Sequence, residues 1–254
     1  MIDRFMIEIK KLTKIYDNKK VLNNINVDIK TGEIFTVMGP SGTGKSTFIK
    51  SIIRLIKPES GEIIIDGRDI LKAKKQFEIQ SIRRDFGYLF QDSALFDSLN
   101  VWENVAFGLK YLTDIKPDKY FDVAREKLEL VGLKDIEYKK INELSGGMKK
   151  RVALARAIAH NPKYILYDEP TTGLDPISSE KIMNLISEMS EKLGVTSVVV
   201  THDVKLAFTI STRIGMLFGG KFLDVNTPEG IKNSSIKEVK EFVETSFIEV
   251  NRGH

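Results

Sequence analysis

Apolar residues alternate with polar ones at Ile7 and Ile9, and again at Val21, Ile25, Val27 and Ile29, which predicts short strands of a partly exposed sheet. Asp17-Asn18 and Thr31-Gly32 punctuate them. Residues 34–38 form an apolar run broken only by Thr36, the pattern of a strand covered on both faces. After a glycine-rich segment, residues 47–56 take helical spacing that stops at Lys57-Pro58. Residues 61–67 and 86–90 each read as a further strand between turn residues.

From residue 101 to about 160 the period changes. Val105 with Leu109, Ala124 with Leu128 and Val131, and Met148 with Val152, Ala155 and Ala159 each fall on one helical face. Strand and helix then alternate over 164–167, 177–193, 196–200, 204–211 and 213–218, which predicts a parallel sheet with crossover helices. Gly219-Gly220 turns the chain into a hairpin partner at 221–224, and a polar tail, expected to be a solvated helix, follows Pro228. The reading is one α/β domain. Residues 1–91 and 161–224 make an α/β core with an N-terminal antiparallel β sub-domain; residues 92–160 are an inserted helical sub-domain and 225–254 the tail.

Composition narrows the classes. At 254 residues with 42% hydrophobic and 29% charged residues the chain can bury a core, and with no cysteine it has neither disulfides nor thiolate metal sites. The net charge of +4 is spread along the chain, so nucleic acid is not an expected partner; the basic cluster Lys149-Lys150-Arg151 is read as a solvated face. No stretch approaches the ~18 consecutive apolar residues of a membrane span, and residues 1–11 lack a secretory apolar region. Any membrane role is expected to run through a partner.

The chemistry is carried by a few segments. Gly39-Pro40-Ser41-Gly42-Thr43-Gly44-Lys45-Ser46-Thr47, set between a strand and a helix, matches a phosphate-binding loop. Glycine lets bare N–H groups wrap an anion at a helix N-terminus, Lys45 reaches the β- and γ-phosphates, and the Ser46 hydroxyl suits Mg²⁺. Residues 164–168 are an apolar strand ending in Asp168, a metal-directing position, and Glu169 is placed to orient or deprotonate water unless the pair merely caps a helix. Leu144-Ser145-Gly146-Gly147-Met148 opens an amphipathic helix and makes a second anion-seeking end, which must serve another ligand or another subunit. His202 follows the strand 196–200 at its ligand-gathering end.

The order phosphate loop, Gln91, Leu144-Ser145-Gly146-Gly147, Asp168-Glu169, Gly173-Leu174-Asp175 and His202 resembles the ABC-transporter ATPases over nearly the whole chain. The resemblance implies a P-loop NTPase with a RecA-like core that binds and hydrolyses ATP with Mg²⁺ held by Ser46, Gln91 and Asp168. It implies that Tyr16 stacks on adenine, with an ordinary strand aromatic as the lesser alternative, and that Gln91 reports to a membrane partner. Glu169 and His202 would be the catalytic pair, and Asp175 would bridge the sites of a head-to-tail dimer. Ser145 and Gly147 would touch the γ-phosphate held by the second copy. Met148, where the family usually has Gln, together with residues 90–99, 147–156 and 167–176, resembles the Mla-type ATPases of lipid asymmetry. That implies an integral permease, a mammalian-cell-entry-type lipid-binding protein, phospholipid cargo and a place on the cytoplasmic face of the inner membrane. A small-solute importer and a non-transport ABC ATPase are the alternatives.

Overall fold

β1 (Phe5–Tyr16) and β2 (Lys19–Lys30) are each 12 residues long, not the short strands the alternation predicts. Asp17 and Asn18 close the hairpin with φ of 46° and 62°, a left-handed pair that suits strand twist. The alternation changes phase at Lys11 and Asn24, both at positive φ, where register shifts return Leu12 and Ile25 to the buried side. The computed structural model describes residues 5–252, with side chains described for residues 7–246.

β3 (Ile34–Met38) is buried at every position, and α1 (Lys45–Ile52) starts soon after it. The helix stops at Ile52 rather than 56, because Arg54 adopts φ 54° and the Leu55 N–H turns back to Lys50 O. β4 (Ser60–Ile65) and β5 (Arg68–Asp69) complete an antiparallel sheet in the order β2-β1-β4-β5. α2 (Gln76–Arg83) is an element the hydrophobic pattern does not announce, since only Ile79 and Ile82 of it are buried. β6 (Phe86–Leu89) precedes a helical stretch of α3 (Val101–Ala106), α4 (Leu109–Leu112), α5 (Tyr120–Leu130) and α6 (Gly146–Ile158). Strand and helix then alternate as β7 (Tyr164–Asp168), α7 (Pro176–Leu193), β8 (Thr196–Thr201), α8 (Val204–Ile210) and β9 (Arg213–Phe218). β10 (Lys221–Asn226), α9 (Pro228–Lys232) and α10 (Lys237–Arg252) end the described chain.

The second sheet runs β10-β9-β3-β8-β7-β6, parallel except for β10 against β9. Its strands split the core by period two. Tyr164, Leu166, Val198 and Val200 face the antiparallel sheet and α1, whereas Ile165, Tyr167 and Val199 face α3, α5, α6 and α7. Because β3, β8, β7 and β6 are neighbours and parallel, the loops at their C-terminal ends gather along one edge.

The tail is not a solvated helix. Ile231, Val239 and Val243 are buried in a cluster with Met38, Val204, Ala207, Ile214 and Met216, so α9 and α10 pack on α8 and the far side of β3. Among the described residues no helix is long and apolar enough to cross a membrane.

Candidate nucleotide site

Beyond Met38 the chain turns at Gly39, with φ 152°; a Cβ there would lie 2.2 Å from Leu217 O, so no side chain fits. Gly44, at φ 102°, starts α1 without a side-chain cap and with no acidic residue in the first turn, which leaves the helix N-terminal amides uncovered. Lys45 folds back over this loop, its Nζ donating to Gly39 O at 2.9 Å and Pro40 O at 3.1 Å. It is 6% exposed, and burial pulls its pKa below the usual lysine value against the opposing pull of Glu169 and Asp168. Thr43 Oγ1 donates to Pro40 O at 2.9 Å and braces the turn.

Asp168 ends β7 at 2% exposure. Its Oδ1 accepts from Ser46 Oγ at 2.9 Å, while Oδ2 accepts from Tyr88 OH at 3.1 Å and lies 3.4 Å from Lys50 Nζ. Burial, aided by Asp168, keeps the Tyr88 phenol protonated far above its ordinary range. Tyr88 and Lys50 were not among the residues the motifs single out; a phenol just before Gln91 at a strand end was the available signal.

Glu169 sits at φ 49°, its N–H held by Val200 O at 2.9 Å. Its Oε2 accepts from His202 Nδ1 at 2.9 Å, from the His202 N–H at 3.4 Å and from Thr172 Oγ1 at 3.4 Å, and its Oε1 is 3.8 Å from Lys45 Nζ. A carboxylate partner assigns the ring proton to Nδ1 and leaves Nε2 for a ligand. Ser41, Gly42, Gly44, Lys45, Ser46, Thr47, Gln91, Glu169 and His202 line one open cleft of about 340 Å³, joined by Val21 and Thr172, which carry no motif signal.

Tyr16, Ser145, Gly147 and Asp175 do not line that cleft. Tyr16, 42% exposed, ends β1 with Lys14 Nζ 4.8 Å from its ring centroid. Ser145 caps α6 by accepting from Met148 N at 3.3 Å, and Asp175 caps α7 by accepting from Ser178 N at 2.9 Å; the Ser178 side chain first, and then this backbone bond, lower the Asp175 pKa. The two helix starts touch: a Cβ on Gly147 would lie 2.8 Å from Ser178 Oγ. Ser145 and Asp175 are exposed, so this second group faces outward.

The basic cluster at 149–151 is a correction. Lys150 is 3% exposed and Arg151 donates to Gly132 O at 2.9 Å, so this is not a solvated face. Lys150 shares its helix face with Ala153, Leu154, Ala157 and Ile158, all buried, and that spacing was legible in the sequence.

A glycine-rich loop and a carboxylate on a histidine thus meet in one cleft, and the buried strand-end carboxylate of Asp168 stands behind it, reached through its bond from Ser46. The sequence profile described as ABC transporter matches residues 22–172. The chain belongs to the ABC transporter family. It is an ATP-hydrolysing subunit of that family, and its α/β architecture is the family's. It is 42% identical over 93% of its length to a probable ribonucleotide transport ATP-binding protein, Mkl, of Mycobacterium leprae, covering 68% of that protein. To the intermembrane phospholipid transport system ATP-binding protein MlaF of Haemophilus influenzae it is 39% identical over 94%, covering 90%. A methionine import ATP-binding protein of Desulfitobacterium hafniense matches at the same 39% over 95%, covering 72% of that protein, so identity alone does not separate cargoes. Among solved structures, a dimeric ATP-binding cassette in a post-hydrolysis state with ADP and Pi superposes at a TM-score of 0.81 and 38% identity, covering 88% of this chain and 99% of that one.

Proposed function

We propose that two copies of this ABC ATPase close head to tail over two ATP molecules, and that the closing and opening drive an integral permease carrying phospholipid. The observation that carries the hydrolytic part is the Glu169 carboxylate, held by His202 Nδ1 at 2.9 Å within the cleft that Lys45 and the phosphate loop line. The separate cluster of Ser145, Gly147 and Asp175, with Ser145 and Asp175 exposed, supports pairing, since within one copy it has no phosphate to meet. The dimeric state of the ADP- and Pi-bound relative supports it too.

Glu169 takes a proton from the attacking water as its oxygen bonds to the γ-phosphorus and the bond to the bridging oxygen breaks, releasing ADP and phosphate. The α1 amides and Lys45 hold the phosphate charge, and His202 Nε2 lies toward the γ-phosphate. A hydroxyl, one buried carboxylate and an amide, from Ser46, Asp168 and Gln91, are oxygen donors that would suit a hard cation, with Ser46 and Gln91 on the cleft and Asp168 bonded to Ser46. Mg²⁺ bound there would neutralise β- and γ-phosphate charge. Tyr16 lies beside adenine, and Gln91 reports to the permease.

The likeness to MlaF and the Met148 signature support phospholipid as cargo, with a mammalian-cell-entry-type lipid-binding protein as a further partner and the chain peripheral on the cytoplasmic face of the inner membrane. The three-part division at residues 91–92, 160–161 and 224–225 belongs to this reading. An importer of small solutes is the second reading, favoured by the match to the methionine import protein. Lipid extraction of the co-purified permease complex separates them, because bound phospholipid in molar amounts supports the first and its absence the second. For the site, Glu169→Gln should retain ATP binding and lower turnover ~10²-fold or more. Normal turnover in that variant would remove Glu169 from the mechanism.

A further inference from the structure

Lys150 lies on α6 beyond Ser145 and is 3% exposed. Its Nζ donates to Gln91 O and lies 3.4 Å from both Phe90 O and Glu169 O. An ammonium has three N–H donors, so each meets a backbone carbonyl from one of two loops that line the nucleotide cleft. Asp92, Asp168 and Glu169 are the acidic groups that act on it, and they oppose the lowering of its pKa by burial. A buried ammonium is strongly disfavoured unless its partners are fixed, and the neighbours on the same helix face, Ala153, Leu154 and Ala157, fill their sites without charge. Glu169, in turn, holds a left-handed φ of 49° that a non-glycine residue keeps only when its surroundings over-determine it.

We propose that Lys150 is a positioning residue for ATP hydrolysis, tying the backbones of Gln91 and Glu169 to each other and to α6. The proposal rests on the reading of Glu169 as the water-activating carboxylate. Lys150 acts through these carbonyls and not on the nucleotide, since it does not line the cleft. Because α6 also carries Ser145 at its exposed start, contact between Ser145 and a nucleotide held by a second copy bears on the first copy's own Glu169.

Single-turnover hydrolysis and equilibrium ATP binding by the full chain in its dimeric form test this. Lys150→Met is expected to slow hydrolysis about tenfold or more while ATP affinity stays within about threefold of wild type. Lys150→Arg, which keeps the charge and the donors, is expected to recover most of that rate. In a Glu169→Gln background Lys150→Met is expected to add no further loss, because both changes act on one step. A wild-type rate in Lys150→Met, or losses that multiply in the double variant, overturns the proposal. A normal rate in Glu169→Gln alone overturns instead the reading of Glu169. If Lys150→Met does not fold, Lys150→Gln, with two N–H donors, replaces it: a reduced rate at unchanged affinity supports the proposal, and lost affinity at unchanged rate overturns it.

Discussion

Lys45 carries a charge into a pocket where water reaches it poorly, and the carbonyls of Gly39 and Pro40 hold it there. Lys45→Ala is expected to weaken Mg-ATP binding by about 3 kcal/mol or more, over about 100-fold, measured by titration calorimetry. Affinity within about threefold of wild type would take Lys45 out of the site. The loop residues stand out in the sequence because glycine, lysine and serine at that spacing have one strong chemical use, which this titration tests. Tyr88 and Lys50 do not stand out in this way, nor do the carbonyls that Lys150 reaches, because that chemistry depends on which backbone or carboxylate each meets across the fold. A lysine in a basic run looks solvated until the helix face it occupies is known to be buried.

At the scale of elements, α10 shows what a short apolar stripe can do. Val239 and Val243 stand one turn apart and bury against Met38, the residue before Gly39, and Val204, close after His202. Burying one such side chain contributes about 1.5–3 kcal/mol, enough to dock a tail whose outer face stays polar. Val239→Asp is therefore expected to release the tail: limited proteolysis should cut within residues 228–246 at rates where the wild-type chain resists. An unchanged cleavage pattern would mean the contact is not what holds α10. Nothing in the sequence announces the docking of the tail, because two valines and an isoleucine name no surface to bury against. Strands β3, β7 and β8 were legible for the opposite reason, being buried on both faces and so apolar almost throughout.

At the scale of the whole molecule, the cleft and the Ser145 group lie apart on one copy, and the proposed function needs them together. Mixing makes this testable. Lys45→Ala and Ser145→Arg copies are each expected to be inactive as homodimers, yet a mixed dimer keeps one composite site with both native residues. Co-expression with different tags and purification of the mixed dimer should therefore recover ATPase activity; no recovery would mean that Ser145 does not complete the site of a second copy. The sequence by itself determined the α/β class and the family, because these depend on local periodicity and on spacing along the chain. Only the tertiary structure decided where the register bulges in β1 and β2 fall, that α10 docks, that Tyr88 and Lys50 hold Asp168, and that Lys150 joins two loops. Those depend on pairings between residues far apart in the chain, where burial and hydrogen bonding override what any one segment prefers by itself.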